Sequence, residues 1–216
     1  MPTRRTAPSH GGTSFSTLSR GLCAVGRRFY SRGWALGTTG NFSAVVGARP
    51  LRLAITASSV NKGTLTTTQI LEIDEHARLA RRSACAPSAE TALHLEIVRR
   101  RGAGAVLHTH SVWGTLLSER REVEIEGYEM LKGLSGVTTH EHRERIPVVA
   151  NDQDMTRLAH AVGAMLERNP AAHAFLLRRH GLYTWGASLA EAERHVEILE
   201  FLFETVGRRA AFSAET

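Results

Sequence analysis

Lysine is nearly missing from this sequence. Of 27 basic residues, 25 are arginine, and only Lys62 and Lys132 carry an ammonium group. Acid is missing from the first 71 residues, which hold nine Lys or Arg and no Asp or Glu before Glu72. Cysteine is limited to Cys23 and Cys85, too few for a disulfide framework. No apolar run approaches the roughly 18 residues of a membrane span, which excludes an integral membrane protein. No secretory h-region is visible, so the expected compartment is reducing and cytoplasmic. Aromatics make up 6% of the chain and the charges are scattered, whereas a nucleic-acid surface needs basic clusters interleaved with aromatics. Neither nucleic acid nor membrane is therefore an expected partner. What is present is an ordinary globular composition, 216 residues with 42% hydrophobic and 22% charged, enough for one domain with a sizeable core. The net charge of +6 comes from the acid-free third, which suits a phosphorylated small molecule.

Residues 1–18 are rich in Ser, Thr, Gly and Pro and read as a disordered N-terminal tail. A single domain is expected over 19–210, with a short tail at 211–216. Leu22 to Trp34 has helical character. Phe42–Gly47, Leu51–Thr56 and Ile70–Ile73 read as short strands around turn residues. Pro87-Ser88 opens a helix reaching Arg101, with Ser88 a candidate N-cap. Gly102 and Gly104 end it, and Ala105-Val106-Leu107 begins a strand. Pro147–Val149 is a strand, and Asn151-Asp152 starts an amphipathic helix running to Arg168. Ala174–Leu177 and Leu182–Trp185 are strands, and the box Ser188-Leu-Ala-Glu191 opens a last helix to about Arg209. Short strands interspersed with helices give an α/β layered domain.

His108-Thr109-His110 closes the strand entered through Ala105. Side chains alternate along a strand, so both imidazoles face one side and can share a metal ion. The alternative is a pair of structural histidines. His140-Glu141-His142 has the same spacing but sits in the charged run HEHRER with no apolar lead-in, and reads as a solvated loop. His180 follows the apolar Phe175-Leu176-Leu177 and precedes Gly181, which makes it a candidate third ligand. Three His ligands with an open position form a catalytic rather than a structural zinc site.

Gly37-Thr-Thr-Gly-Asn-Phe-Ser43, Thr56-Ala-Ser-Ser-Val-Asn-Lys62, Pro87-Ser-Ala-Glu90, the His108/His110 pair and Arg179-His180-Gly181 follow one another in order. Together they resemble the class II, metal-dependent aldolase/epimerase superfamily over roughly residues 20–210. The stretches Glu129-Met-Leu-Lys-Gly133 and Arg178–Gly186 are most similar to a dehydratase branch acting on a phosphorylated keto-sugar. The resemblance implies an α/β/α sandwich with a central, mainly antiparallel sheet. It also implies one Zn²⁺ per subunit on His108, His110 and His180, and a homotetramer with sites near subunit interfaces. Gly40, Asn41, Ser58, Ser59, Lys62 and Ser88 match phosphate-binding positions, in keeping with N–H and hydroxyl donors beside a helix N-terminus. Glu129 matches the acid/base. Glu90, Cys85 and Lys132 are secondary candidates: Glu90 resembles a carboxylate close to the metal, and Cys85 a substrate-side position. A sugar-phosphate aldolase commonly recruits a Tyr near the C-terminus, which the residues after Arg209 do not supply. A pentulose-phosphate 4-epimerase lacks the Glu129–Gly133 stretch, and an adducin-like interaction domain has no use for three ligand histidines.

Overall fold

The computed structural model describes residues 13–213. Eight strands and five α-helices follow in the order α1 (Phe15–Ser31), β1 (Asn41–Ala48), β2 (Leu51–Thr56), β3 (Ile70–Asp74), α2 (Thr91–Arg101), β4 (Ala105–Thr109), α3 (Val112–Leu117), β5 (Glu122–Glu126), β6 (Arg143–Val149), α4 (Met155–Arg168), β7 (Ala174–Leu177), β8 (Gly181–Gly186) and α5 (Leu189–Ser213). The strands form one sheet in the order β3-β2-β1-β4-β8-β7-β6-β5, antiparallel at every junction except β6–β7. Helices α1, α3 and α5 cover one face, and α2 and α4 the other. This is the α/β/α sandwich with a mainly antiparallel sheet expected above.

The helices differ from expectation mostly at their starts. The first twelve residues of the expected tail lie outside the described residues. Its last four are helical: Ser14 caps α1 by accepting from the Thr17 N–H, and Leu18, Leu22, Val25 and Phe29 bury one stripe. The first helical turn carries the same apolar face as the rest, so the helix begins where its cap is. Helix α2 begins at Thr91 rather than at Pro87, because Ser88 Oγ accepts from Glu90 N–H and forms a turn before the helix. Helix α4 is capped by Asp154, whose carboxylate accepts from Thr156 and Arg157, while Asp152 binds the Asp154 N–H one turn earlier.

Two elements depart from the sequence reading. Glu122-Val-Glu-Ile-Glu126 looks like a solvated acidic run, yet Val123 and Ile125 are fully buried and the glutamates point outward. That alternation is the period of a half-buried strand. The HEHRER run likewise enters β6, with Glu144 buried and Arg143 and Arg145 exposed.

Candidate metal centre

The two strands at the middle of the sheet bring the histidines together. Asn41 of β1 and Tyr183 of β8 lie opposite His108 on either side of β4. Glycine is required on both flanks. At Gly40, with φ +71°, a Cβ would meet the His108 carbonyl at 2.6 Å, and at Gly181 a Cβ would collide with the Thr109 carbonyl. Arg179, with φ +53°, turns the chain so that His180 faces the end of β4.

His108 is completely buried, its ring stacked 3.9 Å from that of Tyr183. Its Nδ1–H donates to the Leu182 carbonyl over 2.9 Å, which leaves Nε2 as a lone pair. That nitrogen lies 2.8 Å from His110 Nε2 and 3.4 Å from His180 Nε2. Glu90 Oε1 completes the cluster, 3.3 Å from His180 Nε2 and 3.7 Å from His108 Nε2. Burial and the neighbouring imidazoles hold His108 well below the usual histidine pKa, and His110 at about 4. Burial keeps these rings neutral, and their Nε2 atoms converge with the His108 lone pair among them, a donor set open to a cation. Four-coordinate zinc with nitrogens at about 2.1 Å spaces its ligands about 3.4 Å apart, so the donor set suits a metal ion.

Glu90 is held from behind. Asn41 Nδ2 donates to Glu90 Oε2, and Asn41 Oδ1 accepts from His94 Nε2–H, each at 2.5 Å. Ser43 Oγ donates to His94 Nδ1 over 2.7 Å. His94 is fully buried and held neutral near pKa 3 by burial. This residue escaped the sequence reading, since a lone histidine inside an apolar helix stretch reads as core. Its partners, Asn41 and Ser43, arrive from strand β1.

Beside the metal cluster lies a small polar pocket of about 150 Å³. Gly40, Asn41, Ser58, Ser59, Ser88 and His110 are among its lining residues. Ser59 sits in the left-handed region at φ +57°, strained for a side chain. Asn41 lines this pocket, but its amide is already engaged by Glu90 and His94. Lys62 is not on the wall: it is buried, and its ammonium donates to the Val60 and Thr38 carbonyls at 2.9 and 3.2 Å. It ties together the two loops that form the pocket. Burial lowers its pKa to about 8 against the opposing pull of Glu90. Cys85 is half-buried against the core rather than in the pocket.

Glu129 and Lys132 are not in this cluster. They pair with each other on a short 3-10 helix, Glu129–Gly133, and the Glu129 side chain is 71% exposed. That segment follows the edge strand β5, four strand spacings or about 19 Å from β4. Leu131 and Leu134 pack with Leu199 and Leu202 of α5, on the sheet face opposite α2. His108 points toward α2, beside Tyr183 and His94.

An α/β/α sandwich holding three convergent imidazoles beside a hydroxyl-lined pocket defines a metal-dependent class of proteins. The chain belongs to the class II aldolase and adducin N-terminal domain family, whose model matches residues 20–206. Among its relatives, a methylthioribulose-1-phosphate dehydratase of Sorangium cellulosum is 43% identical, covering 88% of this chain and 92% of its own. One from Methylococcus capsulatus is 46% identical over 89% and 94%. The fold is shared with the l-fuculose-1-phosphate aldolase of Thermus thermophilus, at TM-score 0.74 and 24% identity over 93% and 98% of the two chains.

Proposed function

We propose that the chain is a methylthioribulose-1-phosphate dehydratase of methionine salvage, converting 5-methylthioribulose 1-phosphate into 2,3-diketo-5-methylthiopentyl 1-phosphate and water. Relatives at 41–46% identity over nearly 90% of the chain carry that name. One observation of the site carries the reading. His110 belongs both to the imidazole cluster and to the polar pocket, which sets a seat for a cation beside a seat for an anion.

In this reading His108, His110 and His180 hold one Zn²⁺, with Glu90 beside them. When bound, the ion supplies Lewis-acid polarisation of a ketone. Gly40, Ser58, Ser59 and Ser88 hold the phosphate through N–H and hydroxyl donors, and Lys62 contributes charge from behind the loops. Asn41 orients Glu90. Glu129 takes the C3 proton, adjacent to the C2 ketone, and returns it to the C4 hydroxyl as that group leaves as water. The resulting C3–C4 enol tautomerises to the diketone, so atoms and charge balance.

Glu129 reaches this chemistry from a second copy of the chain. Within one protomer it is on the sheet face opposite the histidines, and its side chain is exposed and paired with Lys132. A homotetramer with sites between subunits accommodates that. Among the described residues no helix is long and apolar enough to cross a membrane, and Cys23 and Cys85 are free thiols. These features agree with a cytoplasmic enzyme.

The test is a product assay by NMR with zinc-loaded wild type beside Glu129→Gln. The reading expects diketone from wild type and a loss of ~10²–10⁴-fold in the variant with metal content unchanged. Unimpaired turnover in the variant removes Glu129 from the mechanism. Absence of product from metal-loaded wild type removes the dehydratase assignment.

A further inference from the structure

On the α5 face of the sheet, a second histidine cluster surrounds the segment that follows Glu129. Glu144 is a buried carboxylate at the start of β6. Its Oε2 accepts from His142 Nε2–H at 2.8 Å and His173 Nδ1–H at 2.9 Å, and its Oε1 from the His173 backbone N–H. The other nitrogen of His173, Nε2, lies 2.8 Å from the Ser135 carbonyl. Both ring nitrogens of His173 thus face acceptors, so both must carry protons and the ring is an imidazolium. His195 is the reverse. Its Nδ1–H donates to the Trp185 carbonyl over 2.7 Å, and its Nε2 accepts from the Ser135 N–H over 3.1 Å, so this ring is neutral. Ser135 Oγ donates to Glu191, and Arg194 donates to the Gly133 carbonyl.

We infer that His173 is a positioning residue for Glu129: its imidazolium, anchored on Glu144, clamps Ser135 and with it the Glu129–Ser135 segment. The inference rests on the role assigned to Glu129 above. Deprotonation at Nε2 would turn a 2.8 Å hydrogen bond into a contact between two lone pairs, and the segment would lose one side of its clamp. The charged and titratable groups facing His173 are Glu144 from β6, His142 just before that strand, His195 from α5, and Arg101 from α2. Burial disfavours its charge, but the hydrogen bond and charge of Glu144 outweigh burial and raise its pKa.

The experiment uses the zinc-loaded, full-length protein. Nitrogen-15 NMR of labelled histidine, assigned by His173→Gln, reads the protonation of both ring nitrogens at neutral pH. Kinetics of wild type, Glu144→Gln and His173→Gln are followed across pH. The expected results are a doubly protonated His173 and a high-pH fall in kcat that Glu144→Gln moves to lower pH. His173→Gln is expected to lower kcat ~10-fold or more, with KM and metal content little changed, by displacing the acid/base. Wild-type kcat and an unmoved pH limb in His173→Gln overturn the proposal, as does a neutral His173 ring. A second metal equivalent lost in His173→Gln overturns it too, by making the cluster a ligand set. Because the NMR readout is independent of turnover, full activity in Glu129→Gln sinks the acid/base role without touching the protonation result.

Discussion

Two three-residue clusters of similar composition lie on opposite faces of one sheet, and they answer the same electrostatic problem differently. His108, His110 and His180 turn their Nε2 atoms toward one another, as close as 2.8 Å, and His180 Nδ1 is buried without a partner among the described residues. His142, Glu144 and His173 present donors to one carboxylate, and each ring–carboxylate contact is a satisfied hydrogen bond. The first arrangement suits an added cation; the second already contains one as a proton. Proximity of histidines therefore says little until the partner of each second ring nitrogen is known. Leu182 O fixes a lone pair toward the first centre, while Ser135 O fixes a second proton on His173.

The largest effect expected from this contrast is on metal binding. His108→Gln or His180→Gln should abolish stoichiometric zinc and lower turnover by ~10³-fold or more, since charge stabilisation at the reacting centre is commonly worth that much. His142→Gln should leave metal content at the wild-type value. Metal analysis of the purified variants checks both halves, and a loss of zinc in His142→Gln would erase the distinction between the clusters.

Next in size is the stability held in the proton-bearing cluster. Burial works against the Glu144 carboxylate, but its bonds with His173 and His142 hold its pKa below the usual range. Its contribution is present above the unfolded carboxylate pKa and is lost as pH falls through the lower folded value. The contribution of His173 is full below the unfolded histidine pKa and is lost as pH rises through its raised folded value. The pair is thus intact between the two. Glu144→Ala should cost about 3 kcal/mol near pH 6, the range for breaking a buried ion pair, and less in acid. Denaturant titrations at pH 3 and 6 would show it; an equal loss at both pH values would deny the linkage.

Most strands were legible in the sequence because their apolar runs and turn residues are local. The His108/His110 geometry was legible for the same reason, since period two holds within any strand. What stayed hidden depends on partners distant in the chain. Nothing local in HEHRER distinguishes Glu144 from its neighbours until His173 arrives 29 residues later. His94 looked like core because its partners Asn41 and Ser43 lie on β1, distant in the chain from α2. Lys62 stood out as a rare ammonium, but its engagement with the Thr38 and Val60 carbonyls is a property of the folded loops. Glu129 was singled out only through resemblance; its exposure and its place on the far face of the sheet from the histidines could not be read from spacing.

A third buried group separates the two solutions further, because among the described residues no cationic side chain pairs with it. Glu200 on α5 is buried beneath the end of β4, accepting a 2.7 Å hydrogen bond from Thr109 Oγ1, one residue from both His108 and His110. Burial raises its pKa to about 7 despite hydrogen bonds from Ser111 and Thr109. The folded state holds this proton more tightly than the unfolded state, so stability declines as pH rises from the unfolded carboxylate value to about 7. Glu200→Gln keeps the shape and removes the ionisation. It should therefore be more stable than wild type above neutral pH, by on the order of 2 kcal/mol, and similar to it in acid. Thermal melts of the two proteins at pH 5 and 8 make the comparison. Parallel behaviour at both values would mean that Glu200 is ionised in the folded state and has found a cation, as Glu144 has.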